Sequence, residues 1–252
     1  MLPQEELGSF ESRLYDALDL VQRRYDARFT SFLDESQVYF AQKWVERNHL
    51  QEQCLFFGGC QGNLRQMLGV FPEWVEPSKE QFPIAALELL YPKQYRLSHR
   101  DFLGALMALQ LRRDVIGDLM VEEGKCLAFV QESIASFLCQ ELHQVGRVGV
   151  KAAVVSASDR QITQDYELIC GTVASLRLDA LVSLLCKVSR EKAAGLIAAG
   201  LVQYNYTVAV SNHLAFGETD VISVRGYGKF RVSGPITQTK KGRYHLSVLK
   251  YI

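Results

Sequence analysis

The 252 residues predict an α+β chain, and three observations carry that reading. Apolar residues recur at helical spacing through 5–50, a strand-helix-strand-strand-helix-strand succession follows between 84 and 155, and from 177 two short helical patterns run into a β-branched tail. The expected division is a helix-rich domain at 1–78, a βαββαβ domain at 79–174 and a third domain at 175–252 that ends in a basic β extension.

In the first part, Phe10, Leu14, Ala17, Leu18 and Val21 keep one helical face, and Val38, Ala41, Trp44 and Val45 keep another. Between them, Arg28-Phe29-Thr30-Ser31-Phe32-Leu33-Asp34 reads as a turn ending in a helix cap. Cys54-Leu55-Phe56-Phe57 predicts a short buried strand. The cluster Gly58-Gly59-Cys60-Gln61-Gly62-Asn63 then lacks the Lys-Ser/Thr of a phosphate loop and the spacing of a dinucleotide fingerprint, so a tight turn is expected. Pro72, Pro77 and Pro83 mark a linker.

The middle part reads as strand 84–91, helix 98–111, strand 115–121, strand 125–130, helix 132–145 and strand 148–155. That order is the ferredoxin-like arrangement shared by RNA-recognition motifs, which stack bases on aromatic residues of their central strands. The corresponding strands here offer only Tyr91 and Phe129, so a scaffold and a base platform are equal expectations. His99-Arg100-Asp101 mimics a kinase catalytic loop, but the partner Asn and the Gly-rich loop are missing. A cap at Ser98 with Asp101 at the third helical position explains the run more simply. His99 and Arg100, beside that helix start, are expected as secondary RNA contacts. A polar loop at 156–164 and a further strand at 166–174 complete this part.

In the third part, Leu178, Leu181, Val182 and Leu185 recur at helical spacing, with Arg177 and Lys187 left near water. Ser189 offers a cap for a second helix, and Arg190 and Lys192 follow in its first turn. Cations there oppose the helix dipole at a cost of about 0.3–1 kcal/mol each, a cost that a bound phosphate would relieve. Ala193, Leu196 and Ile197 form an inner face, and Gly200 sits where a left-handed stop is needed. Residues 202–205, 207–210 and 221–225 read as strands, with Gly226 and Gly228 at turns.

Charge is partitioned along the chain. Residues 177–252 hold 11 Lys/Arg against four Asp/Glu, while residues 1–176 hold 17 against 24, so an overall balance of 28 of each sign hides a +7 end and a −7 end. Phosphate neutralisation dominates nucleic-acid affinity, which makes the local excess more telling than a neutral total.

The third part resembles the S4 domain, a small RNA-binding module of a ribosomal protein, some tRNA synthetases, pseudouridine synthases and a heat-shock ribosome-binding protein. The residues that carry this are Arg177-Leu178-Asp179, Ser189-Arg190, Ala193-Ala194, Leu196-Ile197, Gly200, Val202, Asn205 and Val221-Ile222-Ser223-Val224-Arg225-Gly226. Where S4 domains usually have Gly-Asp before the late strand, this chain has Gly217-Glu218-Thr219-Asp220. Adding Arg28-Phe29-Thr30, Phe32-Leu33-Asp34, Gly58-Gly59, Gly62, the run from His99 to Leu106, Ile116-Gly117-Asp118 and Lys241-Gly242-Arg243, nearly the whole chain resembles the YlmH family of bacterial S4-domain proteins. The resemblance implies a cytoplasmic, non-enzymatic protein without cofactor or metal that binds 23S rRNA and tRNA on the large ribosomal subunit. It also implies a part in rescue of stalled subunits and a link to cell division. On this reading Arg177, Ser189, Arg190 and Lys192 hold backbone phosphates; Asn205, Arg225, Lys229 and Arg231 extend the contact from the β side along one continuous flank; and Tyr227 stacks on a base or sugar. Lys240, Lys241 and Arg243 join His99 and Arg100 as secondary contacts.

Two other functions compete. Arg177-Leu178-Asp179 superficially matches the Arg-Leu-Asp of a pseudouridine synthase, where the Asp is the nucleophile, but no synthase domain surrounds it. The acidic first two thirds could instead serve as an adaptor for cell-division proteins. No apolar run reaches the ~18–20 residues of a membrane helix, and the N-terminus lacks the pattern of a signal peptide. The six cysteines show no CxxC pair, which argues against zinc or a disulfide framework and for small apolar residues in a reduced compartment.

Overall fold

The helical periodicity of 5–50 becomes two helices in the computed structural model, which describes residues 4–156 and 166–252. Helices α1 (Gln4–Arg24) and α2 (Glu35–Arg47) bury Phe10, Leu14 and Val21 with Val38, Ala41, Trp44 and Val45. Helix α2 begins at Asp34 because its carboxylate accepts the Gln37 N–H at 2.9 Å while the Gln37 amide oxygen accepts the Asp34 N–H at 2.9 Å. The turn expected at 28–34 also contains a two-residue strand, β1 (Arg28–Phe29). It joins β2 (Cys54–Phe57) and β3 (Met67–Val70) in a sheet ordered β1-β3-β2. Strand β2 is half-buried, while β3, absent from the sequence reading, is buried throughout.

The middle succession forms as expected: β4 (Ile84–Leu90), α3 (His99–Ala108), β5 (Ile116–Glu122), β6 (Lys125–Gln131) and α4 (Glu132–Glu141). A small hairpin of β7 (Gln144–Val145) and β8 (Val148–Gly149) precedes β9 (Lys151–Val155), and it ends α4 earlier than the pattern suggests. The antiparallel sheet runs β5-β6-β4-β9, the ferredoxin-like order. Period-two alternation sends Leu87, Leu89, Cys126, Ala128 and Val130 toward α3 and α4, where Phe102, Leu106, Ala135 and Leu138 meet them. The opposite face presents Ala86, Leu127 and Phe129, and these pack with Phe32, Cys60, Met67, Phe71 and Phe82.

The chain divides into two compact units, residues 2–163 and 164–252. No break in packing falls near residue 78, because Phe71 and Phe82, on either side of the proline-marked stretch, share one core with Phe129. The loop expected at 156–164 lies, from 157 on, outside the described residues.

The second unit opens with β10 (Tyr166–Val173), which pairs with the last strand of the chain rather than with the middle sheet. Then come α5 (Leu178–Cys186), α6 (Arg190–Ala198), β11 (Val202–Tyr204), β12 (Thr207–Val208), β13 (Val221–Val224), β14 (Gly228–Gln238) and β15 (Tyr244–Tyr251). They build a sheet ordered β10-β15-β14-β13-β11-β12. Leu181, Val182, Leu185, Ala193 and Ile197 of the two helices pack on one side of it, against Phe230, Val232, Leu246 and Val248. Gly200, at φ 69°, ends α6 in the left-handed conformation expected of it.

Candidate nucleic-acid interface

Where α5 and α6 meet, Asp179 organises the cations. Its side chain is 7% exposed, and both its oxygens accept from the Arg190 Nη2 at 2.8 Å. Arg177 donates to the same carboxylate through Nε at 3.2 Å and Nη2 at 2.9 Å. Burial alone would raise the Asp179 pKa; the hydrogen bonds and charges of the two arginines outweigh it and hold the carboxyl below the usual range. The arginines remain 36% and 48% exposed, so each guanidinium is fixed in orientation while keeping an edge toward solvent. The start of α6 adjoins them: Ser189 Oγ accepts the Lys192 N–H at 3.2 Å, which leaves its hydroxyl hydrogen able to donate, and the Lys192 side chain is exposed. The start of α5 is closed to anions by contrast, since the Leu178 and Asp179 N–H groups donate to the Leu214 and Asn212 carbonyls.

The remaining cations do not continue this cluster. Lys229 and Arg231 alternate with buried Phe230 and Val232 along β14, so they project from the sheet face opposite α5 and α6. The single continuous basic flank expected from the sequence is thus two separate sets, because strand alternation sends neighbouring residues to opposite faces. Arg225 is exposed at the β13–β14 turn, and Lys240, Lys241 and Arg243 are exposed at the β14–β15 turn. Arg243 is tied to β10 through Thr172 O at 3.0 Å.

Asn205 spends both ends of its amide inside the protein, donating to Asp220 Oδ1 at 2.8 Å and accepting the Val221 N–H at 2.9 Å. It fastens a turn and is not carried forward as an RNA contact. Asp220 also accepts from Tyr204 Oη at 2.5 Å and the Gly217 N–H at 2.7 Å, so the longer Gly217–Asp220 turn is held by its last acid. Tyr227 packs partly against the core between two positive-φ glycines, which accounts for it as a turn residue.

In the first unit, neither candidate stacking residue is available. Phe129 is fully buried, and Tyr91 is buried with its hydroxyl donating to Glu122 O at 2.7 Å. The glycine cluster serves this packing: a Cβ on Gly59 would stand 2.2 Å from the Phe129 ring, and one on Gly117 would stand 2.7 Å from Phe32. Asp118 accepts the Leu64 and Arg65 N–H groups, and Arg65 donates to the Phe32 and Ile116 carbonyls. Burial, with Arg65 close by, pushes the neighbouring Arg113 down to about 10. Ser98 and Asp101 form the expected reciprocal cap, whose hydrogen bonds lower the Asp101 pKa, and His99 and Arg100 are exposed beside it. All six cysteines are free thiols; burial raises Cys54 and Cys126 to about 12 and Cys186 to about 11, while Cys170 is exposed. Among the described residues no cluster of His, Cys, Asp or Glu is placed to hold a metal, and no helix is long and apolar enough to cross a membrane.

Two helices pinned by a shared arginine-aspartate cluster and backed by a strand-rich tail follow a ferredoxin-like domain, which defines an α+β protein of two compact units. Residues 77–159 match a family model described as a putative RNA-binding domain in YlmH. The chain is 30% identical over 231 residues to the ribosome-associated protein quality control protein P2 of Bacillus subtilis (strain 168), covering 90% of this chain and 89% of that protein. The chain belongs to the YlmH family. A solved structure, the cell division protein ylmH from Streptococcus pneumoniae, shares its fold with a TM-score of 0.52 at 19% identity, covering 62% of this chain and 93% of the other.

Proposed function

We propose that this chain is a non-catalytic, cytoplasmic RNA-binding protein that engages 23S rRNA, and tRNA beside it, on the large ribosomal subunit in quality control of stalled translation. The observation that carries the reading is the pair Arg177 and Arg190, held on one buried carboxylate next to Ser189 and Lys192. Preset guanidiniums suit phosphate, because they bind through a planar fork and lose little freedom in doing so. Phosphate contacts position without reading sequence, so selectivity comes from RNA shape. The family model supports RNA binding, and the name of the Bacillus subtilis relative supports the ribosomal setting. Asp179 is committed to two arginines and buried, which favours an organising role over that of a synthase nucleophile.

The test is co-sedimentation with purified large subunits. The double substitution Arg190→Glu/Lys192→Glu is expected to abolish binding while the far-ultraviolet spectrum stays unchanged; retained binding would refute the reading. Tritium release from uridine-labelled RNA, expected to be nil, checks the absence of synthase activity.

A further inference from the structure

We propose that the open face of the six-stranded sheet, opposite α5 and α6, is a stacking surface for unpaired RNA bases. The inference rests on the RNA-binding reading above but concerns a different face and a different form of RNA. Register sets its composition: Tyr166 lies opposite Tyr251, Leu168 opposite Leu249, and Arg231 opposite Leu249 on the other side. None of these side chains belongs to the unit's core, and Leu168 is 61% exposed.

Rings and cations interleave there. Tyr166 and Tyr251 meet edge to face with centroids 5.1 Å apart. Lys229 Nζ stands 4.9 Å from the Tyr206 ring and 4.8 Å from the Tyr251 ring, and the Arg231 guanidinium carbon stands 5.6 Å from the Tyr166 ring. The positions of β10, β14 and β15 that share this parity, 166–172, 229–233 and 245–251 taken alternately, contain no Asp or Glu. Single-stranded nucleic acid is held by this combination, aromatic faces for bases and cations beside them for the backbone. A base can replace an ammonium over a tyrosine ring, and the displaced cation is then beside that nucleotide's phosphate. A protein partner fits less well, since the aliphatic groups are Leu168, Leu249 and the buried Val221 opposite Arg231, among three tyrosines and two cations.

The experiment compares a fluorescent short oligouridine with a fully paired RNA hairpin, on the full chain. Tyr166→Leu/Tyr251→Leu is expected to weaken oligouridine binding at least about tenfold, as loss of two stacking rings demands, and to leave hairpin binding unchanged. Arg190→Glu/Lys192→Glu is expected to do the reverse. Ultraviolet cross-linking of oligouridine to the unsubstituted chain should place adducts on Tyr166, Tyr206 or Tyr251 by mass spectrometry, a readout that stands even if the tyrosine variant misfolds. Oligouridine binding that survives the tyrosine substitutions, or the absence of adducts on that face, overturns this inference and leaves the helix-side reading intact. Hairpin binding that survives Arg190→Glu/Lys192→Glu overturns the helix-side reading instead.

Discussion

The two large sheets of this molecule differ in what lies on their second face. The four-stranded sheet has the topology of an RNA-recognition motif, yet α3 and α4 cover one side and the residues before 83 cover the other, down to Phe129 at 0% exposure. The six-stranded sheet has an unrelated strand order and leaves one side open, with tyrosines, a lysine and an arginine on it. Strand order alone therefore does not make a binding platform. What packs over the sheet decides, and here that is set by glycines: Gly59 and Gly117 let Phe129 and Phe32 close onto the backbone.

Phe129→Ala should cause the largest effect and would sharpen this contrast. Removing a ring from a closed core costs about 3–5 kcal/mol, read as a shift in the denaturation midpoint of the first unit. If the ferredoxin-like sheet were an open platform, the same substitution would leave stability nearly unchanged and weaken RNA binding instead.

Asp179→Asn comes next, at about 1.5–3 kcal/mol for hydrogen bonds to charged groups, together with weaker RNA binding as two guanidiniums lose their anchor. A pH series of hydrogen exchange across 178–198 adds the sign. Because the folded Asp179 carboxyl lies below its unfolded value, its stabilisation is present above the ordinary carboxylate range and is lost as pH falls through the folded value, below about 4. The Asn variant should lack that acid-dependent loss, and an identical loss in both proteins would assign it to other groups.

Ser98→Ala should cost about 1 kcal/mol, the value of a lost helix cap, with no change in any RNA assay. A fall in RNA binding at unchanged stability would instead make the run at 98–101 part of an interface.

The sequence showed the elements better than the surfaces. Periods of 3.6 and 2 were strong in 84–155, and the cap at Ser98 and the stop at Gly200 follow from local chemistry that needs no partner. Strands β1 and β3 were illegible because two and four residues carry no period, and β3 is apolar on both faces. The closure of the first sheet is tertiary: Phe129 reads as a candidate stacking residue until Gly59 and Phe32 are seen to pack near it. Arg177, Asp179 and Arg190 are each legible as motif residues, but their joining crosses the turn between two helices. Tyr166 and Tyr251 are 85 positions apart and meet only through β10–β15 pairing. Their visible signal was modest, an aromatic near the end of each strand.

The central claim is that Arg190, held in the Asp179 cluster, and Lys192 beside it neutralise RNA phosphates. It is tested most directly by the slope of log affinity against log salt for structured RNA. Each phosphate contact removed should reduce that slope by about one, so Arg190→Ala/Lys192→Ala should lower it by about two relative to the natural chain. An unchanged slope, with affinity intact, would contradict the account.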